Sequence, residues 1–378
     1  MDNIINFPQG YWEVYNQKFI NKHQALQVSK NIADVKYYYF NHVWESFNID
    51  NLGKSRLNDL YKIRAEQLRD EYYYLILNFS GGADSYNVLR TFLDNNIKLD
   101  EVCVKWPMDI FTSNSKIYNP NTYDTTAYNY LSEWDYAICP VLDYLKQYYP
   151  EIKIELVNWT EDFELKNAEF YFNTVNHWHD VEIPSLSVFS PNEEKLINKG
   201  KTVASIYGID KPVTYFENNH AYMVFCDSTL CVGTPNPINI YGTEYFYYSP
   251  KFPILTFEMA YIAAKWLAED NNRFRNYAYF PEQKINGRSP VRYSGQQSLL
   301  RNVLYTTWSN RFQVSKPEHT FRFDKQNWII SNKDLNPYLN EYNYTKTEFL
   351  KQVDHTLVPY LDNEKFYKII PSKKFLLY

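Results

Sequence analysis

Between residues 72 and 93 the chain reads as a strand, a turn of paired glycines and a helix, an order that constrains its fold more than any other stretch. The strand pattern, YYYLILNF over residues 72–79, is almost wholly apolar, as expected of a strand buried on both faces of a parallel sheet. The turn Ser80-Gly81-Gly82-Ala83-Asp84-Ser85 follows at once and leads into YNVLRTFL, a helical pattern. Glycines let the backbone approach an anion closely and take φ values that other residues resist. The first N–H groups of the helix lack intrahelical partners, and the helix dipole adds partial positive charge there. Such an end holds a phosphate by its backbone. Ser80 and Ser85 add hydroxyl donors, and Asp84 suits a divalent cation held against phosphate oxygens. A plain helix cap would also favour Ser and Asp. Against that, the chain has only ten glycines and sets two side by side here.

The string S-G-G-x-D-S, placed after a strand and opening a helix, resembles the PP-loop of the ATP pyrophosphatases. That superfamily includes the synthetase domains of asparagine, GMP and NAD synthetases, the lysidine synthetase of tRNA and several thiolation enzymes. It is not a Walker A loop, because G-x-x-x-x-G-K-[ST] with its lysine is absent. The resemblance is complete over the six-residue motif and covers little of the remaining chain. It implies ATP and Mg2+ as cofactors, adenylation of a substrate at the α-phosphate, and departure of pyrophosphate. Ser80, Gly81, Gly82, Ala83, Asp84 and Ser85 would hold the pyrophosphate, with Asp84 a metal ligand and catalytic residue. The implied fold is Rossmann-like (adenine nucleotide alpha hydrolase-like), and the backbone around Val104 and Lys105 would pair with the adenine edge.

The rest of the chain is consistent with an α/β fold. Strand patterns at residues 72–79, 99–106, 152–159 and 202–207 alternate with helical patterns at about 85–95 and 127–149. Such alternation argues for a parallel sheet flanked by helices, with ligands beyond the carboxyl ends of its strands. Residues 1–70 read as a polar, mainly helical extension, with Leu57, Leu60, Ile63 (or Arg64) and Leu68 at helical spacing. Residues 71–235 make the ATP-binding α/β domain and end in a hairpin pattern, 213–216 with 221–226. Residues 236–378 read as a mostly helical substrate or accessory domain, with one clear helix over 256–270.

Composition narrows the setting. A net charge of −5 gives no general reason to expect nucleic acid. Cys103, Cys139, Cys226 and Cys231 form no C-x-x-C pair and sit in apolar surroundings, which suggests a reducing compartment and core packing. No apolar run reaches membrane-spanning length, and the first residues lack signal-peptide shape. The expected location is the cytoplasm, or the host cytoplasm for a viral protein. The 37 Tyr and 24 Phe accompany abundant Asn, Ile and Lys, all residues with A/T-rich codons. A phage or low-GC bacterium is the simplest origin, so the tyrosines are not read as a stacking surface.

Three further stretches are candidate chemistry. Gly208-Ile209-Asp210-Lys211-Pro212 follows a strand pattern and so emerges at the same sheet edge as the loop. Asp210 would bind the metal and Lys211 would neutralise the leaving pyrophosphate; a surface turn is the plain alternative. The basic span 284–325 includes Arg288, Arg292 and Arg301, and a Gly-Arg-Ser-Pro turn favours Arg288 and Arg292 as phosphate or carboxylate ligands. His177-Trp178-His179-Asp180 would put two imidazoles on one strand face, but no third metal ligand is evident. Ser294-Gly295-Gln296-Gln297-Ser298 echoes the loop without strand or Asp and reads as a helix cap.

The leading expectation is an amide- or amidine-forming ligase that activates a carboxylate, amide or ureido oxygen for ammonia or an amine. A glutaminase of the N-terminal-nucleophile kind needs a cysteine at its start, and none precedes Cys103, so no glutaminase domain is expected in this chain. The substrate is an unidentified small molecule or nucleic acid, no membrane partner is expected, and a homo-oligomer is left open. The alternatives are a PP-loop sulfurtransferase, a tRNA- or DNA-base-modifying enzyme, and a non-catalytic nucleotide-binding or virion-associated module.

Overall fold

The computed structural model describes residues 2–30, 32–106, 133–158, 188–209, 211–217, 219–227, 235–269, 300–305 and 370–378. Strands β1 (Tyr11–Val14) and β2 (Gln17–Phe19) form a hairpin. Tyr15 and Asn16 between them take φ of 48° and 65°, the two-residue turn whose twist matches paired strands. Helix α1 (Lys22–Val28) follows, and β3 (Lys36–Tyr38) pairs antiparallel with the other edge of β1. Helical elements still cover more of the N-terminal extension than strands do, but it also contains a three-stranded antiparallel sheet that the sequence pattern did not mark. Trp12, Val14 and Tyr37 are its buried positions, and the intervening polar residues belong to the outward faces of short strands.

After α2 (Asn41–Glu45) comes α3 (Leu57–Glu71), which buries Leu57, Leu60 and Leu68 as its spacing predicts. Of the two candidates for the fourth position, Arg64 is buried and Ile63 is exposed. The Arg64 guanidinium donates to Glu244 Oε2 at 2.6 Å, and the Tyr72 hydroxyl donates to Glu244 Oε1 at 2.6 Å. A buried cation is tolerated there because a buried carboxylate meets it.

The central sheet is α/β in character. Strand β4 (Tyr74–Asn78) leads through the glycine turn into α4 (Ala83–Asp94). Then come β5 (Glu101–Trp106), a π-helical turn Glu133–Ile138 continuing as α5 (Cys139–Tyr148), β6 (Lys153–Asn158), α6 (Pro191–Ile197) and β7 (Val203–Tyr207). The hairpin β8 (Val213–Glu217) and β9 (His220–Val224) follows as predicted. Strand β10 (Thr243–Tyr245) then joins the central sheet beside β7, although it lies beyond residue 235, where the sequence pattern changes. The order β10-β7-β4-β5-β6 is parallel throughout, a Rossmann-like arrangement flanked by helices.

Both faces of this sheet are covered. Leu75, Leu77, Val102, Val104, Ala204 and Ile206 belong to the main core, where α3 packs on α4 and on α7 (Pro253–Ala268). Ile76, Cys103, Val157 and Val203 face the other way, against Val188 and α6. That face is the more polar. The end of the chain forms β11 (Phe375–Leu376), paired antiparallel with β9. Residues 300–304 are helical; most of the C-terminal region expected to be helical lies outside the described residues. Among the described residues no helix is long and apolar enough to cross a membrane.

Helix α7 carries one buried acid. Both oxygens of Glu258 accept the Gly53 N–H, at 3.0 and 3.1 Å, and burial raises its pKa from 4.5 despite that donor. The folded state thus favours the protonated acid. Its contribution to stability is present at low pH and is lost as pH rises through the raised value. Glu258→Gln should remove that loss, so its urea midpoint should gain on wild type between pH 4.5 and 8. A constant difference between the two chains over that range would contradict this account.

Candidate functional site

The topology puts the glycine turn at the place where such sheets bind ligands. Strands β4 and β7 are neighbours, and the chain continues outward from β4 through β5 to β6 and from β7 to β10. Where connections from adjacent parallel strands run outward in opposite directions along the sheet, ligands bind at the carboxyl ends of those strands. Ser80 to Ser85 leave β4 there, and Gly208 to Lys211 leave β7.

The turn is built to bare its amides. Gly81 takes φ +75°, and a Cβ on it would lie 2.8 Å from Ile138 Cγ1 in the π-helical turn, so both backbone and space demand glycine. Gly82 caps α4 without a side chain, and the first helical bond runs from the Tyr86 N–H to the Gly82 carbonyl at 3.0 Å. The amides of Gly82, Ala83, Asp84 and Ser85 have no acceptor among the described residues. The Ser85 hydroxyl is buried and donates back to the Gly82 carbonyl at 3.2 Å, while accepting the Ser80 N–H at 3.3 Å. Ser85 therefore shapes the turn from beneath. Ser80 is exposed, its hydroxyl 3.3 Å from that of Ser85.

Asp84 stands at the centre of the polar contacts. Lys211 Nζ, buried, is 2.5 Å from Asp84 Oδ1. The two residues are 127 positions apart, brought together because β4 and β7 are adjacent. Gly208 permits this approach: a Cβ there would meet the Asp84 carbonyl oxygen, Ser85 Cα and Val88 Cγ2, each at 3.0 Å.

Three residues that the sequence did not single out complete the surroundings. The Tyr305 hydroxyl donates to Asp84 Oδ1 at 2.6 Å, and its ring lies 5.3 Å from Lys211 Nζ. Tyr247 donates to the Asp84 carbonyl at 2.8 Å, accepts from Asn87 Nδ2 at 3.0 Å, and stacks on Tyr305 with centroids 5.5 Å apart. Burial, then the Asp84 carboxylate, push the Tyr305 hydroxyl well above its ordinary pKa, which keeps it a donor. Arg301, from the basic span, feels the same carboxylate: burial pulls its pKa down and Asp84 opposes. No local pattern marks Tyr305, which lies 221 positions from Asp84.

The second strand divides the expected adenine contact. The Phe79 N–H donates to the Cys103 carbonyl at 2.9 Å. By the alternation of a parallel ladder, the peptide groups of Cys103 and Lys105 face β4, whereas those of Val104 face β6. Lys105 alone of the expected pair therefore turns its backbone towards the loop. Asp210, Arg288, Arg292, His177, His179, Cys231 and the 294–298 motif lie outside the described residues. Among the described residues no group of three or more His, Cys, Asp or Glu side chains could hold a metal ion. Cys103 is buried, and burial pushes its thiol up to about 12; Cys226 is also buried.

Comparisons of the chain with protein-family models, curated proteins and solved structures find no match.

Proposed function

We propose that this protein is an ATP-dependent adenylating enzyme of the PP-loop kind, with an adenine nucleotide alpha hydrolase-like domain. It would convert ATP to AMP and pyrophosphate while activating a carboxylate, amide or ureido oxygen for attack by ammonia or an amine. One observation carries this reading: uncapped amides at the end of β4 meet an Asp84–Lys211 pair, with Asp84 opening α4 and Lys211 following β7, at the switch point of the sheet.

The residues suit the groups that such a reaction needs. Four amides without acceptors among the described residues and a helix end without a side-chain cap there fit a pyrophosphate. Asp84, its side chain partly exposed, and the exposed Ser80 hydroxyl offer the hard oxygens that Mg2+ takes, with phosphate and water completing its shell. Bound Mg2+ would supply charge neutralisation at the phosphates. Asp210, one residue before Lys211, is the further candidate ligand. Lys211 would stabilise the negative charge that develops on pyrophosphate as the bond to the α-phosphate breaks. Tyr305 would position the Asp84 carboxylate through its hydrogen bond. The loop amides fix the phosphate chain, so a bound acceptor oxygen can attack in line; the protein contributes placement and charge rather than a covalent intermediate. Burial of the Cys103 thiol, which raises its pKa, argues against a role for that residue in sulfur transfer.

The test is incubation of the full chain with α-labelled ATP and Mg2+, supplied with pools of carboxylic acids, amides, nucleosides or nucleic acid. AMP should form only with the pool that contains the acceptor. Formation of ADP in its place would refute the reading.

A further inference from the structure

The sheet face opposite α4 carries a cation that the loop chemistry does not use. Lys105, near the carboxyl end of β5, is half-buried. Its Nζ donates to the Tyr207 hydroxyl at 3.3 Å and lies 5.2 Å from the Phe189 ring centroid and 5.5 Å from that of Tyr207. Two carboxylates are buried on this face, and neutral donors occupy them. Glu101 accepts from Ser190 Oγ at 2.5 Å, Asn192 Nδ2 at 2.7 Å and the Tyr74 hydroxyl at 3.1 Å. Glu193 accepts from Asn239 Nδ2 at 2.8 Å, and burial raises its pKa. Lys105 forms no ion pair among the described residues and uses one of its three ammonium donors, although its charge also favours the ionised form of Glu193 through space.

We propose that Lys105 and Tyr207 form the subsite that receives the carboxylate of the acceptor substrate. The proposal rests on the adenylation reading above. Tyr207 ends β7 one residue before Gly208, which packs on the Asp84 backbone, so the subsite borders the site that begins at the loop. Phosphate is already served by the loop amides and Lys211. A single ammonium flanked by two aromatic rings fits a singly charged organic anion with an apolar body better than a polyanion.

Ligand-observed saturation-transfer NMR, with ATP absent, tests this on a mixture of benzoate, nicotinate, phenylacetate and hexanoate. At least one should bind the wild-type chain, bind Lys105→Gln about tenfold more weakly or worse, and be largely recovered by Lys105→Arg. Affinity for magnesium pyrophosphate, measured by calorimetry, should stay unchanged in Lys105→Gln. If Lys105→Gln fails to fold, Lys105→Met, which keeps an aliphatic stem between the rings, replaces it. Three results overturn the proposal: no carboxylate bound by wild type, equal binding by wild type and variant, or pyrophosphate weakened along with the carboxylate. The two readings separate cleanly. Pool-dependent AMP formation that is equal in wild type and Lys105→Gln retains adenylation and removes Lys105. Lys105-dependent carboxylate binding without AMP does the reverse.

Discussion

Asp84→Asn should reduce AMP formation by about 10³-fold, the scale lost when a charged group that stabilises a phosphoryl-transfer transition state is removed. The amide is isosteric and can still accept from Tyr305, so the hydrogen bond at 2.6 Å can persist. What disappears is the negative charge that would hold a metal and that Lys211 now meets at 2.5 Å. Circular dichroism and the urea midpoint should show a folded chain, weakened by the loss of a carboxylate beside a buried ammonium. Tyr305→Phe is the companion variant. It keeps the ring against Tyr247 and Lys211 and removes only the donor, so it should lower turnover by about tenfold, the scale of one hydrogen bond to a charged group. Full activity in Asp84→Asn would mean that the catalytic carboxylate lies elsewhere.

The largest expected effect on stability lies far from that site. Asp227 is fully buried and accepts from Lys22 Nζ at 2.6 Å, from Trp12 Nε1 at 3.1 Å and from the Ile370 N–H at 2.9 Å. It ties the N-terminal sheet and the first residue of α1 to the segment after β9 and to the chain near its end. Asp227→Ala would leave the Lys22 ammonium buried without its carboxylate, at a cost of about 3–5 kcal/mol. The double variant Lys22→Met with Asp227→Leu removes both charges and should recover much of that loss, read as the urea midpoint. If the single variant unfolds at the wild-type midpoint, the pair contributes nothing and its burial needs another account.

These two sites differ in how far the sequence announced them. The apolar run at β4, the paired glycines and the helix of α4 are adjacent in the chain, and local rules suffice to join them. The parallel strands and the β8–β9 hairpin were legible for the same reason: period, length and turn residues are local signals. The N-terminal sheet was not, because strands of three and four residues leave little periodicity and its turn uses Tyr15 and Asn16 with no glycine. Arg64 shows a second limit. Helical spacing placed either Ile63 or Arg64 inward, and hydrophobicity favours the isoleucine. The arginine is buried because Glu244, 180 positions away, meets it.

By itself the sequence determined that a glycine turn opens a helix after a buried strand, and that a second polar turn follows a later strand. Those are properties of consecutive residues: glycine freedom, orphan helix amides and an apolar run. Only the tertiary structure decided that β4 and β7 are neighbours, which puts Lys211 on Asp84, and that Tyr305 and Tyr247 close around the same carboxylate. It also divided Val104 from Lys105 by the edge each presents. Strand order and long-range pairing follow from how whole layers bury their faces, and no window of neighbouring residues contains that information.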